Sequence, residues 1–143
     1  MANIVPFSFK GELASGTHNF ASGGNTFKLA LYTANPYTTS STVKVTTNEV
    51  SSAGGSNYTA GGNTLTGQTV TASTATTAID FADTSWSSAT FTAAFGAIYD
   101  TSASDKLVVV LDFGGNKTAT NGTFTIAFPD PATPSNAIIS ITS

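Results

Sequence analysis

The chain has 143 residues and a mass of 14.5 kDa, a size that fits one domain with one hydrophobic core. Cysteine and arginine are absent, which excludes disulfides, cysteine-based metal sites, thiol nucleophiles and bidentate arginine clamps on phosphate. With five basic residues and a net charge of −3, the chain has no basic stripe for a nucleic-acid backbone, so nucleic acid is not an expected partner.

Charged residues are unusually scarce. They make up 9% of the chain, against about a quarter in an ordinary soluble domain, while serine and threonine together fill roughly 30%. Because interspersed charges normally keep a free monomer soluble, we expect a protein that is docked in an assembly or works outside the cytosol. A secreted threonine-rich module would share this composition, but the first residues lack a signal-peptide pattern. No apolar run is long enough to span a membrane, and no membrane partner is expected.

Residues 1–16 are expected to form an N-terminal arm with at most one short helix. Val5, Phe7 and Phe9 alternate with other residues, a pattern typical of an extended segment. Such a segment could add to the sheet of a neighbouring subunit, or it could be the first strand of the chain's own sandwich. These three residues are the candidate inter-subunit contacts. Residues 8–16 also carry a weak helix signal, with a serine at the start and a glycine at the end.

From about residue 27 onward, apolar and polar residues alternate with the period of two that predicts β-strands. The expected strands are 27–32, 43–45, 78–81, 90–93, 95–99, 106–113, 123–128 and 136–141. Segment 106–113 is apolar on both faces, which favours a central strand. Glycine and asparagine within 114–122 predict that this strand forms a hairpin with 123–128.

Short strands at regular spacing predict an all-β fold, a β-sandwich or jelly-roll-like arrangement, as a single domain over residues 1–143. Segment 64–77 is nearly all threonine, alanine, serine and glycine, and is expected to be an edge strand or an exposed loop.

No catalytic, cofactor-binding or metal-binding residues are expected. His18 is the only histidine and is interpreted as a solvated or hydrogen-bonded loop residue rather than a catalytic base. Asp80 could pair with Asp83 or with Asp112, across a sandwich, as the acid and base of a glycosidase. The favoured interpretation places Asp83 in a turn, where it accepts hydrogen bonds from local backbone amides. The chain is therefore expected not to be an enzyme.

Trp86 is a candidate glycan contact. Together with Tyr32, Tyr37, Tyr58 and Tyr99 it could form a platform on which sugar rings stack, as in a small carbohydrate-binding module. The alternative is that Trp86 anchors the core of a sandwich, which is the more common place for a tryptophan in this fold.

An ordered set of short motifs runs along nearly the whole chain. The motifs lie at 9–13, 26–33, 49–50, 58–62, 80–83 with Trp86, 97–99, 111–115, 122–126, 128–129 and 136–139. Each motif is weak alone, but in order and spacing the set resembles a family of small virion structural proteins of tailed bacteriophages. The resemblance implies a component of the virus particle and carries over no catalytic residue.

Within a virion, the expected role is that of a capsid decoration (cement) protein. The resemblance and the low charge together imply a protein made in the bacterial host cytoplasm and placed on the outer surface of the phage head. Its expected partners are the major capsid protein and its own copies, in a homotrimer. A tail, neck or fibre-associated component is the alternative placement. A glycan-binding module that contacts the host surface is the alternative of another class.

Overall fold

A computed structural model describes residues 2–129 and 137–142. Over these residues the chain forms strands, one α-helix and one short 3-10 turn. In chain order they are α1 (Phe7–Ala14), β1 (Phe27–Tyr32), β2 (Asn63–Thr64), β3 (Thr69–Ala72), β4 (Thr76–Asp80), β5 (Thr84–Asp100), the 3-10 turn (Thr101–Ala103), β6 (Lys106–Ile126) and β7 (Ile139–Thr142). The predicted all-β fold with at most one short helix is confirmed.

The strands form two antiparallel sheets. One has four strands in the order β2-β1-β5-β6, and the other has three in the order β3-β4-β7. Both sheets contribute apolar side chains to one shared core, which makes the arrangement sandwich-like. Core residues from the two sheets include Phe27, Leu29, Leu31, Ile98, Val108, Ile79 and Ile139.

A second, smaller cluster covers the other face of the four-stranded sheet. Tyr37, on the loop that follows β1, packs with Tyr32 and Val110, and Ile4 and Val45 add partly buried contacts. The four-stranded sheet is therefore buried on both faces. This double burial explains why β1 is apolar at every residue but Lys28, and why residues 107–111 of β6 are all apolar.

The predicted hairpin between 106–113 and 123–128 is wrong. The whole of β6 is one strand of 21 residues that runs antiparallel to the 17 residues of β5. Four register shifts absorb the difference in length, and the largest of them lies opposite Ala93 and Phe95. There Gly114 and Gly115 adopt φ values of +71° and +125°, which glycine reaches without strain. The two glycines therefore form a bulge rather than a hairpin turn.

The position of β6 also differs from the prediction, because it is an outer strand of its sheet rather than a central one. Its outer edge is covered near the start by isolated bridges from Val43 to Lys106 and from Ile4 to Val110. Segment 43–45 thus supplies one bridging residue instead of a full strand. Covering segments bury β6 in the way that a neighbouring strand would, so its apolar character indicated burial but not position.

Helix α1 begins at Phe7, with Pro6 in an extended conformation at the N-cap (φ −60°, ψ 148°). Proline suits the start of a helix because its fixed φ is compatible with the first turn and its missing N–H needs no partner there. At the other end, Gly16 is left-handed at φ +75°. Gly16 N donates to Leu13 O (3.2 Å) and Thr17 N donates to Glu12 O (2.9 Å), which is a Schellman motif. The predicted glycine stop is confirmed.

The prediction of an extended arm carrying Val5, Phe7 and Phe9 is wrong from Phe7 onward, where the chain is helical, and Ile4 forms the single bridge described above. Phe9 and Leu13 lie four residues apart on one face of α1 and pack on the shared core. Phe9 is only 3% exposed and cannot contact a neighbour, whereas Phe7 is 68% exposed and Val5 41%. Helix formation thus removes one candidate contact and leaves two.

The remaining strands agree with prediction in place but not always in extent. The predicted strands 90–93 and 95–99 are parts of the single strand β5, which has a register shift between Ala93 and Phe95 in its pairing with β6. Segment 64–77 contains β3, an outer strand exposed at all four of its residues. In predicted strand 136–141, Asn136 lies outside the described residues, and the observed strand β7 begins at Ile139.

Candidate interaction surface

Trp86 is buried and does not form a stacking platform. It lies between the exposed residues Ser85 and Ser87 on β5, so the alternation of the strand directs the indole inward, where it is 4% exposed. Its nearest rings are those of Tyr58, Phe91 and Phe124. Within the described residues the indole Nε1 has no hydrogen-bond partner. The alternative interpretation, a core anchor, is the one that the structure shows.

Tyr32 and Tyr37 are also turned inward. The hydroxyl of Tyr37 donates to the hydroxyl of Tyr32 at 2.7 Å, and the hydroxyl of Tyr32 donates to Val45 O at 2.7 Å. Burial raises the pKa of both phenols above the ordinary value. These rings therefore hold the loop after β1 against the sheet and are not available to a sugar.

The other two tyrosines meet around Glu49. The Tyr58 hydroxyl and Gly61 N both donate to Glu49 Oε1, at 2.8 and 2.5 Å, and Lys44 Nζ donates to Oε2 at 2.6 Å. The Tyr99 hydroxyl donates to Gly61 O at 2.7 Å. Burial, with smaller contributions from nearby carboxylates, raises the pKa of Tyr99 to about 12. None of the four tyrosines predicted as glycan contacts offers an exposed hydroxyl-bearing ring.

A second charged network lies at the end of the sheet near α1 and was not predicted from the sequence. His18 Nδ1 lies 2.8 Å from Asp100 Oδ2, and Nε2 lies 3.2 Å from Glu12 Oε2. Lys106 Nζ donates to Glu12 Oε1 at 2.7 Å, and Asn25 Nδ2 donates to Asp100 Oδ2 at 2.6 Å. The side chains of His18 and Asp100 are fully buried. His18 is thus a hydrogen-bonded loop residue, one of the two expected alternatives, and is not solvated.

The network joins α1 to the adjacent ends of β5 and β6. An ionised carboxylate can only accept, so the two contacts of the imidazole are both satisfied when both ring nitrogens donate. Burial raises the pKa of Glu12, but hydrogen bonds and charge from Lys106 and His18 outweigh it and hold the pKa below its usual value. Both hydrogen bonds of the imidazole are made with carboxylates, one on the helix and one on the sheet, which suits a structural brace between the two.

The three aspartates considered as an acid and base pair are not brought to one place. Asp83 Oδ1 accepts from Phe128 N at 2.8 Å, a distant amide rather than the local one predicted. Asp112 Oδ1 accepts from Gly114 N at 2.9 Å. Asp80 and Asp83 border one shallow depression, whereas Asp112 lines another. In residues 2–129 and 137–142, no group of three or more histidine or carboxylate side chains is placed to hold a metal.

The outer surface carries even less charge than the composition suggests. Of the chain's five basic and eight acidic residues, five are engaged in the two internal networks: Glu12, Asp100, Lys106, Lys44 and Glu49. The surface is left mainly to serine, threonine and a few isolated charges. Among the described residues, no helix has the length and apolar character needed to cross a bilayer.

Three apolar side chains are exposed beside the outer edge of β6. Val5 (41% exposed), Phe7 (68%) and Val43 (43%) form what we call the β6-edge patch. They lie on two segments that are joined by a hydrogen bond from Phe7 N to Thr39 O at 2.9 Å. Both segments also bridge to the first half of β6. A rigid strand thus supports the patch, which is the candidate interaction surface of the described structure.

Comparison with known proteins identifies no relative. No family model matches the chain, and neither the curated proteins nor the solved structures include a match.

Proposed function

We propose that the chain is a non-enzymatic structural protein of a tailed-bacteriophage virion. The ordered motifs that resemble small phage virion proteins support this proposal. Within the particle, we place it on the outer surface of the head as a decoration (cement) protein that bridges major capsid subunits as a homotrimer. The observation that carries the docked role is the β6-edge patch, set in a surface with few charges.

A neutral, hydroxyl-rich surface suits a protein that binds over a broad area. Burying an unpaired charge in an interface costs several kcal/mol, and this surface has few charges to bury. Serine and threonine hydroxyls can instead form hydrogen bonds to the partner directly or through water. In the two ion networks, the side chains of Glu12, Lys44, Glu49 and Asp100 are at most 13% exposed, so these four add few charges that an interface would have to desolvate; Lys106 is 35% exposed.

Phe7 is the strongest single contact candidate. A large aromatic side chain that is exposed in the free protein gains most when an interface buries it, and aromatic residues dominate the binding energy of many interfaces. Phe7 stands at the first position of α1, while the internal network holds the helix through Glu12. The patch is therefore presented in one fixed orientation.

The test uses phage heads that lack this protein, to which purified chain is added back. Wild type is expected to bind and to raise the resistance of the heads to heat and chelator. Phe7→Ser is expected to bind at least about tenfold more weakly, since truncating an aromatic anchor at an interface removes a dominant contact. Ile141→Ser is the matched control, because Ile141 is a similarly exposed apolar residue on β7, away from the patch.

Two results would contradict the proposal separately. Unchanged head stability on adding wild type would remove the cement role. Equal binding of the Phe7→Ser and Ile141→Ser proteins would remove the patch as the contact. Copy number separates the placements: hundreds of copies per particle indicate the shell, whereas about six or twelve copies indicate the symmetric neck or tail.

A further inference from the structure

The outer strands of the two sheets differ in how they are protected. An outer strand exposes unpaired backbone N–H and C=O groups that can pair with another chain. β2 has only two residues, and β6 is covered by the bridges of Ile4 and Val43. β7 is followed directly in the sequence by a residue outside the described part of the chain. β3 is four residues long, its residues are all exposed, and its described pairing is with β4 alone.

β3 also lacks the features that usually keep outer strands apart. Such strands normally carry a charge, a proline or a bulge. Thr69–Ala72 contains neither a charge nor a proline, and its register with β4 is regular. The nearest charged residues in the sequence are Glu49 and Asp80. Val70 is 48% exposed on this strand.

The hydrogen-bond alternation shows which groups of β3 face outward. Ser73 N donates to Thr76 O at 2.9 Å in the turn between β3 and β4. Hydrogen-bonded pairs in an antiparallel ladder recur at every second residue, so Thr71 pairs in this way with Ala78. The N–H and C=O groups of Val70 and Ala72 therefore point away from β4, toward the open side.

We infer that β3 pairs with β3 of a second copy of this chain, antiparallel about a two-fold axis at Thr71. In this register, Val70 of each copy exchanges two hydrogen bonds with Ala72 of the other, and the two Thr71 residues face each other. The two three-stranded sheets then join into one of six strands. The contact is isologous, so the same patch serves both copies.

A second copy is the occupant that this strand fits. Identical strands that meet antiparallel place like charges near one another, and β3 has none to oppose the pairing. The register sets the larger Val70 against the small Ala72 on both sides of the axis. A two-fold contact differs from the contact of a trimer, so the inference does not rest on the proposed function. Because the contact is small, we expect a weak dimer, populated toward millimolar concentration.

Cross-linking of single-cysteine variants tests the register directly, since the chain has no cysteine of its own. Facing residues in a non-hydrogen-bonded antiparallel pair have Cα atoms about 4.5 Å apart, within the range of a disulfide. Thr71→Cys is therefore expected to form a disulfide dimer under mild oxidation. Ser140→Cys is the matched control, because Ser140 lies in the same row of the same sheet, two strands away. Equal cross-linking rates of the two variants would overturn the inference.

Sedimentation equilibrium on the cysteine-free chain provides the second measurement. In wild type, the mass is expected to double as the concentration rises, and Val70→Lys is expected to lose this doubling, because the lysine adds a charge at the edge of the paired strands. Val70 is half exposed, so the variant is expected to keep the circular dichroism spectrum of the wild type. A wild type whose mass does not double up to millimolar concentration would overturn the inference, as would a doubling that Val70→Lys does not weaken.

Discussion

Replacing His18 with phenylalanine isolates the energetic role of the internal brace. The imidazole lies among three aromatic rings, with centroids 5.4 Å from Phe9, 6.1 Å from Phe20 and 6.4 Å from Phe27. A phenyl ring is flat and apolar and can occupy a similar space. The substitution therefore keeps most of the packing but removes both donors, the one at 2.8 Å from Asp100 and the one at 3.2 Å from Glu12.

The expected loss of stability depends on which hydrogen-bond donors each carboxylate keeps. A hydrogen bond to a charged group contributes about 1.5–3 kcal/mol. Asp100 keeps donors from Asn25 and from Ser102 N, and Glu12 keeps Lys106, so the lower end applies to each of the two lost bonds. For the two together, we expect a loss of about 3 kcal/mol in the free energy of unfolding. For a chain of this size, that loss lowers Tm by about 6–12 °C.

Urea denaturation with linear extrapolation measures the loss. The control is the double variant His18→Phe with Asp100→Asn, in which no uncompensated carboxylate is left at position 100. Its loss is expected to be at least about 1 kcal/mol smaller than the sum of the two single losses, as for residues in direct contact. A loss under about 1 kcal/mol for His18→Phe, or strict additivity in the double variant, would refute the account of a buried hydrogen-bonded brace.

Three further predictions follow from named groups. Because the pKa of Glu12 is lowered in the folded chain, its stabilising contribution is present above the usual value of 4.5 and is lost as pH falls below it. The unfolding free energy of Glu12→Gln should therefore decline less steeply in acid than that of wild type, and parallel curves would contradict this. The fluorescence of Trp86, the only tryptophan, should resist quenching by iodide and stay unchanged during titration with host polysaccharide, whereas strong quenching would contradict its burial. Gly62 (φ +75°) and Gly54 (φ +69°) are both left-handed, but a Cβ at Gly62 would overlap the Leu29 carbonyl oxygen while a Cβ at Gly54 would meet open space. Gly54→Ala should cost about 1–2 kcal/mol and Gly62→Ala more than about 4 kcal/mol by denaturation, and equal losses would contradict the clash.

Local sequence patterns predicted a strand well where one apolar segment forms one complete strand. The strand over 27–32 was predicted at its observed bounds, because its apolar residues are buried along a single strand. Alternation cannot tell whether two strands in sequence pair with each other or continue along the same neighbour. For this reason segments 106–113 and 123–128 were taken as a hairpin, although both pair with β5. The glycine pair between them fits a turn and a bulge equally well.

Residues of the candidate site were predictable only where the signal was local. The inward direction of Trp86 could be read from the serines on either side of it, which favour the solvent face of a strand. The brace around His18 could not be read in this way. Its members are 6 and 82 residues from the histidine along the chain, so only the folded sheet brings them together.

The side-by-side course of β5 and β6 has a mechanical consequence. Their ladder extends from Thr84 opposite Ile126 to Asp100 opposite Lys106. A force along the strands acts on all the hydrogen bonds between them at once, so many must break together before the strands separate. A force across the strands would instead break the hydrogen bonds one after another. The pairing of β5 with β6 is therefore expected to resist a load along the strands better than a load across them.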